Sequence, residues 1–179
     1  ALNEVFADPT IVKIMHGAHM DMIWLQRDLG LYVVGLFDTH HASRALGYTG
    51  GSYAFLLQKF TGVQAQKQYQ TADWRIRPLP QELLDYARSD THYLMYIYDN
   101  MRNELIEKSD FSVPDHEKDK VHDVCQRSKE YALQRYEFPV YDSEKGRGAG
   151  GWYKLVARTS ANLSKQQFAV FRGVHKWRD

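Results

Sequence analysis

An α/β sheet domain that gives way to a helical linker and then to the opening of an all-α domain is the architecture this sequence predicts. Three observations carry that expectation. Up to Ser109 the chain alternates short apolar runs with amphipathic helical patterns, the signature of strands and helices layered on one sheet. After Ser109 it turns charged and carries Pro114. From Ser164 an apolar stripe at helical spacing returns, formed by Phe168, Phe171, Val174 and Trp177, and Ser164 with Gln167 has capping-box spacing. The expected divisions are 1–110 for the α/β part, 111–160 for the linker and 161–179 for the first helix of the helical domain.

In chain order, Asp8-Pro9 is expected to open a short helix with proline in its first turn. Lys13 to Gly17 reads as a brief buried strand, and Met20 to Leu29 as a helix that Gly30 ends. Leu31 to Phe37 is the clearest strand, stopping at Asp38-Thr39, where a helix through Ala45 begins. Ser52 caps a helix from Tyr53 to Phe60 that ends near Gly62. The polar stretch from Gln64 to Pro78 leads into one long helix from about Pro80 to Glu107. Val121 to Tyr136 reads as helix, and Asp142 to Gly151 as a loop.

Composition excludes more than it identifies. Hydrophobic residues make up 44% and charged residues 25% of 179, the balance of a globular chain and not of a disordered tail. No apolar run is long enough to cross a bilayer and no secretory signal opens the sequence, so no membrane partner is expected. A single cysteine, Cys125, rules out an internal disulfide and fits a reducing compartment. The net charge of +1 gives no electrostatic footprint for nucleic acid. The sequence opens on Ala1 and stops on the last turn of an amphipathic helix, so a fragment of a larger protein is expected.

Two carboxylates draw chemical interest. On a helical wheel over the long helix, Leu83, Ala87, Leu94, Ile97, Tyr98, Met101 and Leu105 share the core-facing stripe, and Asp90 falls in the middle of it. A carboxylate there loses water and needs a partner. Tyr86, one turn earlier, projects to the same side. An arginine partner or a capped backbone would satisfy Asp90; so would a metal ion beside a tyrosine that orients water. Asp21, following the strand at Lys13, reads singly as an acid favoured at a helix N-terminus.

The two segments together resemble a known family. His16-Gly17-Ala18-His19-Met20-Asp21 with Trp24 is similar to the second exonuclease motif of the DEDD superfamily. Tyr86-Ala87-Arg88-Ser89-Asp90 is similar to the third motif in its tyrosine-bearing form, and Ala72-Asp73-Trp74-Arg75-Ile76-Arg77-Pro78-Leu79 resembles the segment that precedes it in RNase D relatives. The run from Gly30 to Thr39 resembles the eukaryotic RNase D-like 3′→5′ exoribonucleases of the nuclear RNA exosome, and Trp177-Arg178-Asp179 the opening helix of that family's helicase-and-RNase-D C-terminal domain.

The resemblance implies an RNase H-like fold, a mixed five-stranded sheet flanked by helices, and four acids holding two divalent ions, Mg2+ or Mn2+, at an RNA 3′ end. It implies that Asp21 and Asp90 are metal ligands and, with Tyr86, catalytic, that nucleoside 5′-monophosphates are released, and that the partners are exosome subunits in the nucleus and nucleolus. Trp24, one turn after Asp21, would stack on a terminal base, or else be a core tryptophan. Lys67 corresponds to a substrate-contacting lysine of the family, or is a solvated surface residue. Arg75 and Arg77 are expected to pin the loop.

The sequence departs from the family in one respect. The first motif, an Asp-x-Glu on a buried strand before the second, is absent; Asp115-His116-Glu117 and Asp142-Ser143-Glu144 have the spacing but fall after the third motif. With the first strands of the sheet missing too, the isolated chain is expected to bind metal poorly and hydrolyse RNA negligibly. A catalytically incomplete RNA-binding or scaffolding fragment, and a related DNA 3′→5′ exonuclease, are the alternatives. A zinc site from His16, His19, His40, His41 and His92 is not expected, because no cysteine pair accompanies them.

Overall fold

A computed structural model of the chain describes residues 2–138, 142, 144–148, 151–158 and 163–178. It falls into two compact units, 1–136 and 137–179. In the first unit the elements run α1 (Leu2–Phe6), β1 (Lys13–Met15), α2 (His19–Leu29), β2 (Leu36–Asp38), α3 (Thr39–Ala45), α4 (Tyr53–Thr61), a 3-10 turn (Lys67–Tyr69), α5 (Gln81–His92), α6 (Leu94–Glu107), a second 3-10 turn (Pro114–His116) and α7 (Lys120–Ala132). β1 and β2 are parallel, with Lys13 opposite Leu36, Ile14 opposite Phe37 and Met15 opposite Asp38. α2 is the crossover that a parallel pair requires.

The main core is where α6 crosses the strands and the flanking helices. Phe37, Ala42, Leu46, Leu56, Ile97, Met101, Leu105 and Val124 form one buried cluster. Each large member contributes about 1.5–3 kcal/mol of apolar burial. A second cluster, Ala18, Met22, Val33 and Leu36, seats the start of α2 against the sheet. α7 lies beyond the expected division at residue 110 yet packs on β2 and α3. Its Ser128 hydroxyl accepts the Asp38 amide at 2.9 Å and donates to the Val124 carbonyl at 2.7 Å.

Several local expectations hold. Gly30 and Gly62 end α2 and α4 in the left-handed conformation, at φ 62 and 73. Ser52 caps α4 through the Phe55 amide, and Asp38 caps α3 through the His40 amide.

Others are corrected. Asp8-Pro9 opens no helix: the Asp8 carboxylate accepts from the amide and hydroxyl of Thr10, making a turn, and the short helix lies before it. The Leu31–Phe37 run is strand only from Leu36, because its upstream backbone is spent elsewhere. The Leu31 amide closes the end of α2 on Leu25, the Val34 amide bonds Phe6, and Gly35 turns the chain at φ 70. The helix expected from Pro80 to Glu107 is two helices that meet at Tyr93. Thr91, His92 and Tyr93 are a run of weak helix formers, and the Tyr93 amide bonds the Thr91 carbonyl where the chain changes direction.

In the second unit, α8 (Trp152–Arg158) and α9 (Lys165–Arg178) are described. The capping box forms in both directions: the Ser164 amide donates to Gln167 Oε1 at 2.9 Å, and the Gln167 amide to Ser164 Oγ at 3.3 Å. Phe168 meets the Trp152 ring edge-on at 4.9 Å. The covered side of α9 runs through Phe168, Phe171 and His175, whereas Val174 and Trp177 of the expected stripe are 61% and 87% exposed. Of the loop expected at 142–151, Asp142 and Arg147 pair as an antiparallel bridge around a turn, while residues 143, 149 and 150 lie outside the described residues. Among the described residues no helix is long and apolar enough to cross a membrane.

Candidate active site

The first acid enters through the turn between β1 and α2. Gly17 makes that turn at φ 63, a region that favours glycine, and Asp21 follows in the first turn of α2. The turn is held from outside by Asp38, a fully buried carboxylate at the end of β2. Its Oδ1 accepts the Gly17 amide and its Oδ2 the Ala18 amide, each at 2.8 Å, while Oδ1 also accepts the His40 amide at 2.8 Å. His16 Nδ1 lies 2.9 Å from Thr39 Oγ1, whose hydroxyl donates to the Met15 carbonyl at 3.1 Å. Asp38 thus caps one helix and seats the beginning of another. The sequence signals only the first role, because nothing local to residue 38 marks its grip on residues 17 and 18.

The second acid enters on α5. Tyr86 and Asp90 are four residues apart on α5 and line the same cleft wall, and burial and then the Asp90 charge raise the Tyr86 hydroxyl above its ordinary value. The Tyr86 ring is held between those of Tyr69 and Trp74, with centroids 5.9 and 5.8 Å away. Trp74 is itself fixed by donating its indole N–H to the Tyr69 carbonyl at 3.2 Å. Arg75 pairs with Asp73 through two bonds of 2.8 and 3.0 Å, and Arg77 donates to the Trp74 and Ile76 carbonyls. Both arginines therefore brace the loop that frames Tyr86, as expected.

Asp21, Tyr86 and Asp90 line one cleft of about 390 Å³, with Ile14, Met15, His16, Tyr53, Gln70, Thr91 and Leu94 completing its wall. The segments that sequence analysis paired are brought together here, with one correction. Asp90 does not sit within a buried apolar stripe. Leu83 and Tyr86 before it and Leu94 and Ile97 after it are buried, but Asp90 itself is exposed where that side of the helix opens on the cleft. A second hollow, also about 390 Å³, is walled by Val12, Val33, Leu36, Phe37, Val121 and Leu133 among others and is lined by no acid.

Electrostatics distinguishes the two acids from ordinary surface carboxylates. Partial burial raises Asp21 above the usual range; its own amide opposes the shift and the charge of Asp38 adds to it. Partial burial likewise raises Asp90, opposed by the Tyr86 hydroxyl. Tyr53, with its hydroxyl donated to the Ser89 carbonyl at 2.9 Å, is pushed up to about 12 by burial and then by the Asp90 charge. Both acids are thus held where an added cation would be favoured.

Trp24 and Asp115 are not among the described lining of this cleft. Trp24 is 46% exposed on α2, no core tryptophan. Lys67 lies in the 3-10 turn Lys67–Tyr69 that precedes the Tyr86 loop. Asp115, of the spacing Asp115-His116-Glu117, sits in an exposed 3-10 turn on the far side of α6 in the chain. Among the described residues no three His, Cys, Asp or Glu side chains converge on a point where they could hold an ion. The hard oxygens of Asp21 and Asp90 suit Mg2+ or Mn2+ as part of a donor set.

Residues 1–106 match the family model described as 3′-5′ exonuclease, and the chain belongs to that family. Among curated relatives it is 46% identical over 178 residues to Exosome complex component 10 of Mus musculus, covering 99% of this chain and 19% of that protein. It is also 46% identical over 186 residues to Exosome complex exonuclease RRP6 of Saccharomyces cerevisiae, covering 99% of this chain and 24% of that protein. The chain therefore spans about a fifth of the length of the curated relatives it matches. The crystal structure of the catalytic core of RRP6 from Trypanosoma brucei superposes with a TM-score of 0.79 at 39% identity, over 97% of this chain and 44% of that one. Escherichia coli RNase D shares the fold, with a TM-score of 0.62 at 22% identity over 99% of this chain and 42% of that one. The expected RNase H-like exonuclease core is the fold of this chain, and among the described residues its sheet consists of two parallel strands.

Proposed function

We propose that this chain forms most of the catalytic core of a two-metal-ion 3′→5′ exoribonuclease. In this reading the parent polypeptide shortens RNA from its 3′ end, releases nucleoside 5′-monophosphates, and works with exosome subunits in the nucleus and nucleolus, as in ribosomal RNA maturation. The single observation that carries it is the convergence of Asp21 with the Tyr86–Asp90 pair in one cleft, from segments 65 residues apart at their nearest acid and tyrosine.

Asp21 and Asp90 would each hold one of two ions, Mg2+ or Mn2+. When bound, such ions supply Lewis acidity on both sides of a scissile phosphate. Tyr86 stands one turn before Asp90 on the same cleft wall, where its phenol orients a water for in-line attack. Tyr69 and Trp74 keep the ring in place. Trp24, exposed one turn beyond Asp21, offers a flat face to a terminal base, and Lys67 a cation to the RNA backbone.

Two carboxylates are fewer than the family's chemistry uses. The other two acids are proposed to come from an Asp-x-Glu strand outside these 179 residues, laid along the edge of β1 that does not pair with β2. The test is a matched pair of RNA and DNA oligonucleotides offered to the parent polypeptide with Mg2+ or Mn2+. Stepwise loss from the RNA 3′ end, abolished by Asp90→Ala, supports the reading. Preference for DNA would move the substrate, and metal-independent binding without cleavage would make the protein a scaffold.

A further inference from the structure

We infer that Tyr53 is a positioning residue that aims the Asp90 carboxylate into the cleft by holding the Ser89 carbonyl, a role that rests on the exonuclease reading above. The Ser89 carbonyl belongs to the peptide bond that joins Ser89 to Asp90. In an uninterrupted helix that oxygen would accept the amide four residues on, from Tyr93. Here the helix breaks, and the Tyr93 amide turns to the Thr91 carbonyl instead. The Tyr53 hydroxyl supplies the missing donor at 2.9 Å, reaching across 36 residues of sequence.

The geometry on both sides makes this contact restrictive. Tyr53 is the first residue of α4, directly after the Ser52 cap, so its backbone is fixed by the start of that helix. Its half-buried ring lies 5.8 Å from that of His16, which belongs to the turn carrying the other acid. On the α5 side, the Ser89 hydroxyl donates to the Tyr86 carbonyl at 2.7 Å, binding the same turn from within. A carbonyl left unpaired beside a cleft is free to rotate toward water, and its peptide plane would carry the Asp90 side chain with it. Tyr53 acts on Asp90 through that peptide.

The experiment compares Tyr53→Phe with Ser52→Ala in the parent polypeptide, measuring the half-maximal Mn2+ concentration for direct binding without RNA by electron paramagnetic resonance, together with kcat and KM for RNA degradation. Tyr53→Phe keeps the ring and removes the hydroxyl. It is expected to raise the half-maximal Mn2+ concentration by about tenfold and to lower kcat at limiting metal, with KM for RNA unchanged, as for other residues that orient a metal ligand. Ser52→Ala weakens the same helix start without touching Ser89 and is expected to leave the Mn2+ midpoint in place. An unchanged midpoint in Tyr53→Phe, or an equal shift in Ser52→Ala, would overturn the role. Absence of metal-dependent degradation by the unsubstituted protein would instead remove the exonuclease reading, and this inference with it.

Discussion

Asp38 and Ala18 meet beneath the cleft: Oδ2 of the carboxylate accepts the Ala18 amide at 2.8 Å, and both residues are fully buried. The same carboxylate takes the amides of Gly17 and His40. Replacing Asp38 by alanine leaves one buried donor, the Ala18 amide, and two part-buried ones, those of Gly17 and His40, without acceptors; the buried one costs about 1–3 kcal/mol and the other two less. Asp38→Ala is therefore expected to lose about 3 kcal/mol or more of stability, read as a fall in the urea midpoint. Asp38→Asn, which keeps one acceptor oxygen but turns an amide group toward a donor, should fall between. A midpoint equal to wild type in Asp38→Ala would show that the turn before Asp21 is held by other means.

The raised acids make a prediction about pH. A carboxyl whose folded pKa lies above its unfolded value favours the fold most when protonated. For Asp21 and Asp90 that contribution is present below the ordinary value of 3.8 and is lost as pH rises through the raised one. At neutral pH and without metal, the ionised pair opposes folding. Asp90→Asn should accordingly raise the Tm of the metal-free chain at pH 7 by roughly 1–2 °C, the scale of a few tenths of a kcal/mol for a chain of this size. The gain should vanish as the pH approaches 4. A lower Tm for Asp90→Asn at pH 7 would mean that Asp90 makes a stabilising ionic contact.

Tyr86 is assigned to orient water, and its ring to be held by Trp74. In the parent polypeptide Tyr86→Phe should lower kcat by about 10² with little change in KM for RNA, the scale of a lost positioned proton-handling group. Trp74→Ala should lower kcat by a smaller factor, about tenfold, because the hydroxyl remains but its ring loses one side of its support. Single-turnover kinetics separates the two effects from product release. Full kcat in Tyr86→Phe would remove the tyrosine from the chemistry.

Much of this was legible in the chain itself. Gly30, Gly62 and Ser52 act where their local chemistry places them, because left-handed ends and hydroxyl caps are decided within one turn of backbone. The joining of Asp21 to Tyr86 and Asp90 was legible only through the resemblance of two motifs in order. What escaped depends on contacts distant in sequence. No glycine or proline marks the break at Tyr93, and the exposure of Asp90 follows from the open cleft it lines, which the spacing of the apolar stripe does not encode. The strand expected from Leu31 is shortened by amides that bond Leu25 and Phe6, neither of which a strand pattern encodes. Asp38 stands where the sequence expects a strand to end and a helix to begin, and only the fold shows that its carboxylate also seats residues 17 and 18.

Asp21 and Asp90 are proposed as two of the acids of a metal-dependent exoribonuclease, the others coming from outside these 179 residues. The most direct measurement is a time course on a 5′-labelled RNA with Mg2+, run with the 179-residue chain, the parent polypeptide, and the parent carrying Asp90→Ala. The parent alone is expected to give a ladder of 3′-shortened, 5′-labelled RNA. Robust Mg2+-dependent degradation by the isolated chain, or undiminished degradation by the Asp90→Ala parent, would contradict it.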